Sequence, residues 1–388
     1  MKSDMPEAVL AGVRMPLSIG FITGQLRLGG AEKQLYLLAR GLYQEGWQVS
    51  VVSMSHSKVD YWEQPLRKLG IPVYRIRMDL PRLHRLITVR RILQASRISL
   101  VHSWTLHTNF YSAAGGRLSG VPVRLGSERS NHQTSQKGLG IRYGLCLWGQ
   151  DALVVNSKQE AEFLRSDRPN LRVEFVPNGV ETPEKQMSVQ QKNDLRERLG
   201  ITNSSPIIGA VGNMVVGKGF SLLVKALEVL ARRKVSFTLV FIGDGPMLRD
   251  LRRQSSLSLP KDRVLFTGAI PNATAWYPAF DLLCMPSIHQ EGMPNVLMEG
   301  SAAGLPVIAS QVGGVPDLVE DGITGFLVPP NQLDSLADQL EKLLVDPELR
   351  QRMGQAGMEK MSREFSVEAM VTRMTKVYAD TFLAKGLR

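Results

Sequence analysis

The sequence contains only two cysteines among its 388 residues, Cys146 and Cys284. They lie far apart, each in an apolar run, so a disulfide framework or a zinc site is not expected, and a reducing compartment fits. Long apolar runs are lacking too, since no stretch approaches the roughly 18 residues that a spanning helix needs. Asp4, Glu7 and Arg14 interrupt any signal-peptide core near the start. We therefore expect a cytoplasmic protein that neither spans a membrane nor is exported by that route.

Acidic residues are nearly absent between Leu80 and Gln150, although the chain as a whole has a formal net charge of +11. Glu128 is the one acid of this segment, against ten bases: Arg82, Arg85, Arg90, Arg91, Arg97, Arg117, Arg124, Arg129, Lys137 and Arg142. An ordinary solvated face accounts for such a segment, and so does a surface for nucleic acid or for an anionic membrane. No nucleic-acid motif or basic–aromatic interleaving accompanies the bases, so nucleic acid is not expected as a partner. Of the two binding surfaces, we favour peripheral attachment to the inner face of a membrane.

The chain also lacks a pair of carboxylates in an Asp-x-Asp arrangement at a strand end. Such a pair is a typical way to hold a divalent ion beside a diphosphate. We therefore expect no metal ion and no other cofactor.

The remaining composition is that of a folded globular protein, with 43% apolar and 21% charged residues. Short β-branched runs alternate with Gly-rich turns and helical patterns, which predicts parallel sheets covered by helices. The first set of strands comprises 17–23, 48–54, 100–103, 124–127 and 152–156; the second comprises 207–211, 237–242, 264–267, 282–286, 307–309 and 325–328. Predicted helices comprise 31–45, 219–233, 246–254, 294–303, 332–344, 347–365 and 367–383.

The alternation pauses over a polar stretch near residues 178–205 and then restarts, so two α/β domains are expected. We place an N-terminal domain at 1–180, a linker with one short helix at 181–205, a C-terminal domain at 206–366 and a final helical segment at 367–388. Each domain is predicted to be doubly wound and Rossmann-like, with ligands bound where the strand C-termini face a cleft.

Three glycine-containing turns carry the candidate chemistry. In Gly29-Gly30-Ala31-Glu32, two glycines precede a helix, where the backbone can approach an anion and the helix N-terminus offers N–H groups. A plain tight turn explains this pair equally well.

The second turn runs from Gly212 to Gly219 and contains Asn213 and Lys218. Lys218 at a glycine-flanked helix start can neutralise a diphosphate as a point charge. It does not form a P-loop, because no Ser or Thr follows the lysine. The alternative is a solvated loop lysine.

The third segment, residues 287–299, is the most informative. Glu291 lies in its turn and Glu299 on the helix that begins near Pro294, so the two carboxylates can approach one ligand from a loop and from a helix. Carboxylates accept hydrogen bonds from vicinal hydroxyls, which suits a sugar and a ribose. The peptide N–H groups of Gly292, Met293, Pro294 and Asn295, proline excepted, suit phosphate oxygens. Two surface acids are the alternative interpretation.

His102, His107 and Asn109 follow another strand end, which we expect to point into the same cleft. A single histidine there is more often structural, but with two of them we expect one to bind donor or acceptor.

The segment from Glu291 to Glu299 resembles the family 4 (group 1) retaining glycosyltransferases of the GT-B fold. The resemblance continues through Gly304-Leu305-Pro306 and Gly313-Gly314-Val315-Pro316-Asp317 to residues 321–329. It also covers residues 29–32, 176–180, 218–219 and 243–246, and so spans both predicted domains.

The resemblance implies that the C-terminal domain binds a nucleotide-sugar donor and the N-terminal domain the acceptor. Glu291 would bind the donor sugar hydroxyls, Glu299 the ribose and Lys218 the diphosphate. Gly30 would approach the diphosphate, and His107 would contact the transferred sugar. The final helix, within 367–388, would cross back to the N-terminal domain. The loop after Gly268 would meet the base, with UDP- and GDP-linked donors both open.

One departure from the family pattern bears on the diphosphate. The family usually has an arginine where Asn213 stands, so part of the leaving-group charge stabilisation is missing unless Arg129 or another base replaces it.

These observations predict a retaining, metal-independent glycosyltransferase of the hexosyltransferase type, acting in cell-surface polysaccharide or glycolipid synthesis. The acceptor hydroxyl would attack from the leaving-group face, because no enzyme nucleophile is evident, and the acceptor would be lipid-linked. One alternative is another enzyme with the same two-domain fold, a sugar-nucleotide epimerase or a phosphorylase. A binding subunit without catalysis is the other.

Overall fold

The computed structural model describes residues 8–10, 13–15, 18–55, 60–129, 140, 142–183, 187–201 and 204–387. The chain divides into two compact units. Unit 1 comprises residues 1–179 together with 367–388, and unit 2 comprises residues 180–366.

Unit 1 is built on a seven-stranded parallel sheet with the strand order β5-β4-β3-β6-β7-β8-β9. Its strands are β3 (Ser18–Thr23), β4 (Gln48–Ser53), β5 (Val73–Arg75), β6 (Leu100–Ser103), β7 (Val123–Glu128), β8 (Ala152–Val155) and β9 (Val173–Phe175). A separate antiparallel pair, β1 (Ala8–Leu10) and β2 (Val13–Met15), precedes them. The central strands β3, β6 and β8 are buried on both faces, as in other parallel sheets covered by helices, whereas the edge strands β5 and β9 are partly exposed.

The helices of unit 1 lie on both faces of this sheet. They are α1 (Gly30–Gln44), α2 (Glu63–Lys68), α3 (Arg82–Ala95), α4 (Asn109–Leu118), α5 (Arg142–Leu147), α6 (Lys158–Asp167) and α14 (Val367–Ala384). Residues of α1 and α14 share one core with Phe21, Val51 and Leu100. Val89 of α3 and Tyr111 of α4 pack on the opposite face, against Ile22 and Val101.

Unit 2 repeats the plan with a six-stranded parallel sheet in the order β12-β11-β10-β13-β14-β15. The strands are β10 (Ile207–Val211), β11 (Thr238–Ile242), β12 (Val264–Phe266), β13 (Leu282–Met285), β14 (Val307–Ser310) and β15 (Gly325–Val328). The helices are α7 (Val189–Arg198), α8 (Phe220–Arg232), α9 (Leu248–Ser258), α10 (Asn295–Ala302), α11 (Val315–Leu318), α12 (Leu333–Val345) and α13 (Pro347–Glu364). The prediction of doubly wound α/β organisation is confirmed in each unit.

The segment predicted as a linker, 181–205, contains α7, and residues 184–186 and 202–203 lie outside the described part. Ser188 and Gln191 form a capping box at the start of α7. Arg196 donates to the carbonyl oxygen of Ala279 at 2.9 Å and pairs with Asp281 at 3.0 Å. These contacts hold α7 on unit 2.

The last helix, α14, packs on α1 within unit 1. Gly41 permits the close approach, because a Cβ at this position would overlap the Val371 side chain. The Tyr378 hydroxyl lies 2.8 Å from Nδ1 of His102, whose Nε2 lies 2.8 Å from the hydroxyl of Ser127. A polar chain of three side chains therefore crosses the core and joins α14 to β6 and β7.

The expectation that His102 and Asn109 point into a cleft is wrong. Both side chains are fully buried. The Asn109 amide donates to the carbonyl oxygen of Ser127 at 3.2 Å, and its Oδ1 accepts from the Ser127 N–H at 3.1 Å. The physical reason is that β6 is a central strand covered by helices on both faces, so a side chain on either face of it is buried. Asn109 is buried because α4 packs on β7, where its amide pairs with the backbone of Ser127.

No helix among the described residues is long and apolar enough to cross a bilayer.

His102 makes the stability of unit 1 depend on pH. Burial, and secondarily the charge of Arg129, hold its pKa well below the usual value of 6.5. The unfolded chain therefore binds more protons, and stability falls as pH drops below about 6.5. Replacing His102→Gln removes this group, so the advantage of the parent over the variant should shrink by up to about 1.4 kcal/mol per pH unit.

The measurement is urea unfolding by tryptophan fluorescence between pH 8 and pH 5, in a Trp276→Phe background. Four of the five tryptophans lie in unit 1, so this background reports on unit 1 alone. A difference that stays constant with pH would contradict the assignment of a buried neutral histidine.

Candidate functional site

The strand order reverses at one place in each sheet, between β3 and β6 in unit 1 and between β10 and β13 in unit 2. In doubly wound sheets the loops that leave the strand C-termini at this reversal form the ligand site. In unit 2 these loops contain Lys218 and Glu291, and in unit 1 they contain Gly29, Gly30 and His107.

In unit 2 the two loops are joined through their backbones. The N–H of Ile288 donates to the carbonyl oxygen of Gly217 at 2.9 Å. Gly219 has φ +68°, and a Cβ there would overlap the carbonyl oxygen of Pro286. Only glycine fits both requirements, so this residue fixes the distance between the one-turn 3₁₀ helix Val216–Lys218 and the end of β13.

The joined loops bring Lys218 and Glu291 into contact. Lys218 Nζ lies 2.7 Å from Oε1 of Glu291, and the Ser287 hydroxyl donates to the same oxygen at 2.7 Å. The two side chains are 23% and 19% exposed, so the pair is partly shielded from solvent and yet accessible to a ligand. Ser287 had no predicted role, although it lies in the motif that contains Glu291.

The main chain of Glu291 is held by a glycine pair that follows β14. The N–H of Gly314 donates to the carbonyl oxygen of Glu291 at 3.1 Å. Gly313 has φ +53°, and a Cβ there would overlap the same carbonyl oxygen. Glu291 is thus fixed through its backbone by one loop and through its carboxylate by another.

Glu299 lies on α10 and is held by a residue that the sequence did not reveal. The hydroxyl of Tyr277 donates to Oε2 of Glu299 at 3.0 Å. Burial and the nearby charge of Glu299 raise the pKa of Tyr277, so its hydroxyl stays protonated and remains a donor. The helix itself begins after Pro294, which supplies no side-chain cap. Gly292, Met293 and Asn295 lie in this same stretch, where a helix N-terminus can attract an anion.

Asn213 and Gly268 border the same group of loops. Met214, next to Asn213, donates its N–H to the carbonyl oxygen of Asp244 at 2.8 Å, and Gly243 donates to the carbonyl oxygen of Gly268 at 2.9 Å. The loops after β10, β11 and β12 are therefore tied side by side. The Asn213 side chain is exposed, and Gly268 has φ +77° with open space around its Cβ position.

In unit 1 the two predicted glycines open α1. Gly29 precedes the helix in an extended conformation without a side-chain cap, and Gly30 is its first residue. Oε1 of Glu32 accepts from the Gln25 amide at 2.8 Å, and a Cβ at Gly29 would overlap the Glu32 carboxylate. The Trp104 indole donates to the carbonyl oxygen of Ala31 at 2.6 Å, which ties this turn to the loop after β6.

His107 lies in that loop, in the one-turn 3₁₀ helix Leu106–Thr108, and its side chain is exposed. Of the two histidines, His107 is therefore the one that a ligand can reach.

Arg129 is engaged within unit 1. Its guanidinium lies 3.4 Å from the ring centroid of Trp104 and donates to Oδ1 of Asn178 at 2.9 Å. Burial lowers the pKa of Arg129 to about 9. The suggestion that Arg129 replaces the charge missing at Asn213 stays a prediction.

Among the residues that the structure describes, no three His, Cys, Asp or Glu side chains cluster in a way that would hold a metal ion.

Two family profiles match the chain. The profile described as "Glycosyltransferase Family 4" matches residues 28–184, and the one described as "Glycosyl transferases group 1" matches residues 191–360. The first match contains Gly29, Gly30 and His107, and the second contains Lys218, Glu291 and Glu299.

Among curated proteins, the chain is similar to a GDP-mannose-dependent alpha-(1-6)-phosphatidylinositol monomannoside mannosyltransferase. The Mycolicibacterium smegmatis protein is 32% identical over 283 residues, which cover 68% of this chain and 74% of the relative. The Mycobacterium tuberculosis protein is 31% identical over 230 residues, which cover 57% of this chain and only 59% of the relative.

Among solved structures, the chain is similar to HepE of Anabaena in a complex with UDP. The TM-score is 0.80 at 22% identity, and the match covers 94% of this chain and all of HepE. At this identity the likeness concerns the fold.

The contact between Gly313 and Glu291 predicts an unequal response of two glycines to the same substitution. Gly313 and Gly322 both have positive φ, but open space surrounds the Cβ position of Gly322. Gly322→Ala should cost about 1–2 kcal/mol of unfolding free energy through backbone strain alone. Gly313→Ala should cost more, because its methyl group also displaces the carbonyl of Glu291. Calorimetric unfolding measures both, and equal losses would contradict the contact.

Proposed function

Because the chain belongs to the group 1 glycosyltransferases of family 4, we propose that it transfers a hexosyl group from a UDP- or GDP-linked donor to an acceptor hydroxyl. The transfer is retaining and needs no metal ion or other cofactor. The observation that carries the proposal is the contact between Lys218 and Glu291 at the strand reversal of unit 2. Helix α10 begins at Asn295, shortly after Glu291.

On this proposal unit 2 binds the donor. Lys218 holds the diphosphate, Glu291 accepts hydrogen bonds from the sugar hydroxyls, and Glu299, oriented by Tyr277, accepts them from the ribose. The N–H groups between Gly292 and Asn295 face phosphate oxygens, with the proline contributing none. Gly268 lies in the loop that meets the base.

The pairing of Lys218 with Glu291 gives the site balanced charges before the donor arrives. When the diphosphate binds, Lys218 turns to the phosphate oxygens, and the freed carboxylate accepts from the sugar. The positive charge of Lys218 then stabilises the diphosphate as the bond between the anomeric carbon and its oxygen breaks. The acceptor oxygen forms the new bond on the same face of the sugar, and a phosphate oxygen takes its proton.

Asn213 limits the positive charge that the site can offer to the diphosphate. The amide of Asn213 can donate hydrogen bonds to phosphate oxygens, but it adds no positive charge, whereas a guanidinium would donate and neutralise at once. Lys218 therefore supplies the side-chain charge at this end of the site. A binding subunit that has lost catalysis is the second candidate, and Asn213 is the observation in its favour.

Unit 1 serves the acceptor and the reacting end of the donor. Gly29 and Gly30 allow the backbone to approach the diphosphate, and exposed His107 contacts the transferred sugar. The N-terminal domain at 1–180 and the donor domain at 206–366 would carry these two roles.

We also place the protein in cell-surface glycolipid or polysaccharide synthesis, on the cytoplasmic face of a membrane, with a lipid-linked acceptor. The mycobacterial relatives are named for a lipid acceptor, phosphatidylinositol monomannoside. The excess of bases over acids between Leu80 and Gln150 supports the same location, because anionic lipids attract such segments.

Nucleoside diphosphates should stabilise the protein against heat. A ligand of the native state at a hundredfold excess over its Kd adds about 2.7 kcal/mol of apparent stability. We expect UDP or GDP to give this effect and ADP to give less, with or without a chelator. Dependence on a divalent ion would contradict metal independence. If no nucleotide binds, the transferase proposal loses its donor site.

Replacing Glu291→Gln should separate sugar recognition from nucleotide binding. The amide keeps the shape of the side chain but cannot match a carboxylate as an acceptor, so turnover should fall about a hundredfold or more, as when a charged group at a reacting centre is lost. Nucleoside diphosphate affinity should persist, because Lys218 is then unpaired. Glu228→Gln, at an exposed ion pair with Arg232, is the control. Unchanged turnover in Glu291→Gln would remove its assigned role.

A further inference from the structure

Three adjacent helices of unit 1, α3, α4 and α5, carry bases and no acids along their described residues. The exposed side chains of α3, of the end of α4 and of α5 with its following residue form this basic face: Arg82, Leu83, Ile87, Arg90, Arg91, Arg117, Leu118, Arg142, Leu145 and Trp148. The three helices are adjacent, since α3 packs on α4 and α4 packs on α5. The Ser119 hydroxyl at the end of α4 donates to the carbonyl oxygen of Arg90 at 3.3 Å, which places the α4 terminus beside the arginines of α3.

The carboxylates nearest to these bases along the chain are not available to neutralise them. Glu128, the one acid between Leu80 and Gln150, is fully buried and accepts from the Tyr143 hydroxyl at 2.7 Å. The nearest carboxylates along the chain, Asp79 and Asp151, are ion-paired with Arg77 and Arg124 respectively.

The five arginines of the face have no carboxylate partner among the described residues. Other bases of the same segment behave differently, because Arg85 is buried against Met78 and Tyr111, and Arg124 is paired. Lys137 lies outside the described residues.

Large apolar side chains stand among these arginines. Leu83 is 65% exposed, and Leu145 and Trp148 are each 55% exposed. On α5, Tyr143, Cys146 and Leu147 are buried in the core, whereas Leu145 and the residue after the helix, Trp148, are exposed. An ordinary solvated surface of arginines does not require an exposed tryptophan and leucines on the same helices.

We propose that this basic face docks on an anionic lipid bilayer, with the arginines at the headgroups and Leu145 and Trp148 inserted at the headgroup–acyl boundary. Arginine next to exposed leucine and tryptophan is the composition that holds a helix in a membrane interface. Tryptophan suits that depth because its ring is apolar and its N–H is polar. A second copy of this chain is not expected to bind here through the same face, because the arginines of the two copies would repel one another. The proposal deepens the membrane location given above, but it rests on the charge and exposure of these side chains and not on the transferase reaction.

The test uses the whole protein and phosphatidylcholine vesicles with or without phosphatidylglycerol. Sedimentation should show binding only to the anionic vesicles and loss of binding at high salt. The double variant Arg90→Glu with Arg91→Glu should bind at least about tenfold more weakly, since each base near such a surface contributes roughly a fivefold factor. The matched control is Lys225→Glu with Arg253→Glu, two exposed bases of α8 and α9 in unit 2. If both double variants lost the same amount of vesicle binding, net charge alone would explain the binding and the proposal would be overturned.

Depth is tested with lipids brominated in the acyl chain, which quench tryptophan emission at close range. Trp148 has the most exposed indole of the five tryptophans, so quenching should occur in the parent and disappear in Trp148→Phe. Quenching that persists in Trp148→Phe, absence of quenching in the parent, or a preference for duplex DNA over anionic vesicles would overturn the proposal. Nucleotide-induced stabilisation, measured in every variant, should be unchanged. Its absence in the parent would count against the transferase proposal and leave the docking result to stand by itself.

Discussion

The structure of unit 2 depends on how closely its loops can approach one another at the strand reversal. Gly219 lies against the carbonyl of Pro286, and Gly313 lies against the carbonyl of Glu291, each in a left-handed conformation. Any side chain at either position would separate the loops. Because the loops touch through their backbones, Lys218 Nζ lies 2.7 Å from Oε1 of Glu291, and the Ser287 hydroxyl donates to the same oxygen at 2.7 Å. The chemistry assigned to the site follows from this packing constraint, since a lysine and a carboxylate held at fixed positions can serve two adjacent parts of one ligand.

The two units share one sheet topology but differ in the side chains at the equivalent turn. In both, the order reverses beside the first strand of the sheet, β3 or β10, and a glycine-containing turn leads into a helix. In unit 2 the lysine of that turn, Lys218, contacts the carboxylate of Glu291. In unit 1 the turn is held by the Trp104 indole and by the hydrogen bond from the Gln25 amide to the carboxylate of Glu32. Unit 1 is further tied together by α14, whose Tyr378 reaches His102 through the core. The two turns therefore offer different groups to a ligand, in keeping with the separate donor and acceptor roles proposed for the two units.

The central strands of both sheets were predictable from the sequence because they are buried on both faces and read as apolar runs between glycines. The edge strands β5 and β9 were not predicted, since they are short and partly exposed. The helices α3 and α4 were not predicted, since α3 mixes arginines with leucines around its whole surface and α4 contains two glycines that allow close packing on Val89 and Arg124. The expectation for His102 was wrong because a central parallel strand is covered on both faces, so a polar residue within it is buried, unlike one in the loop that follows. Tyr277 could not be found from spacing. It lies in a 3₁₀ segment 22 residues before Glu299, and only the folded chain brings the two together.

Hydrogen exchange of the intact protein with and without the better-binding nucleoside diphosphate tests the central claim most directly, because it locates the donor without assuming any residue's role. The account predicts slower exchange in peptides that cover residues 212–219 and 286–295, the loops that carry Lys218 and Glu291. It predicts little change in α3 and α5, which are assigned to a different surface. Protection that is absent from both loops, or confined to other parts of the chain, would contradict the assignment of the donor site to the strand reversal of unit 2.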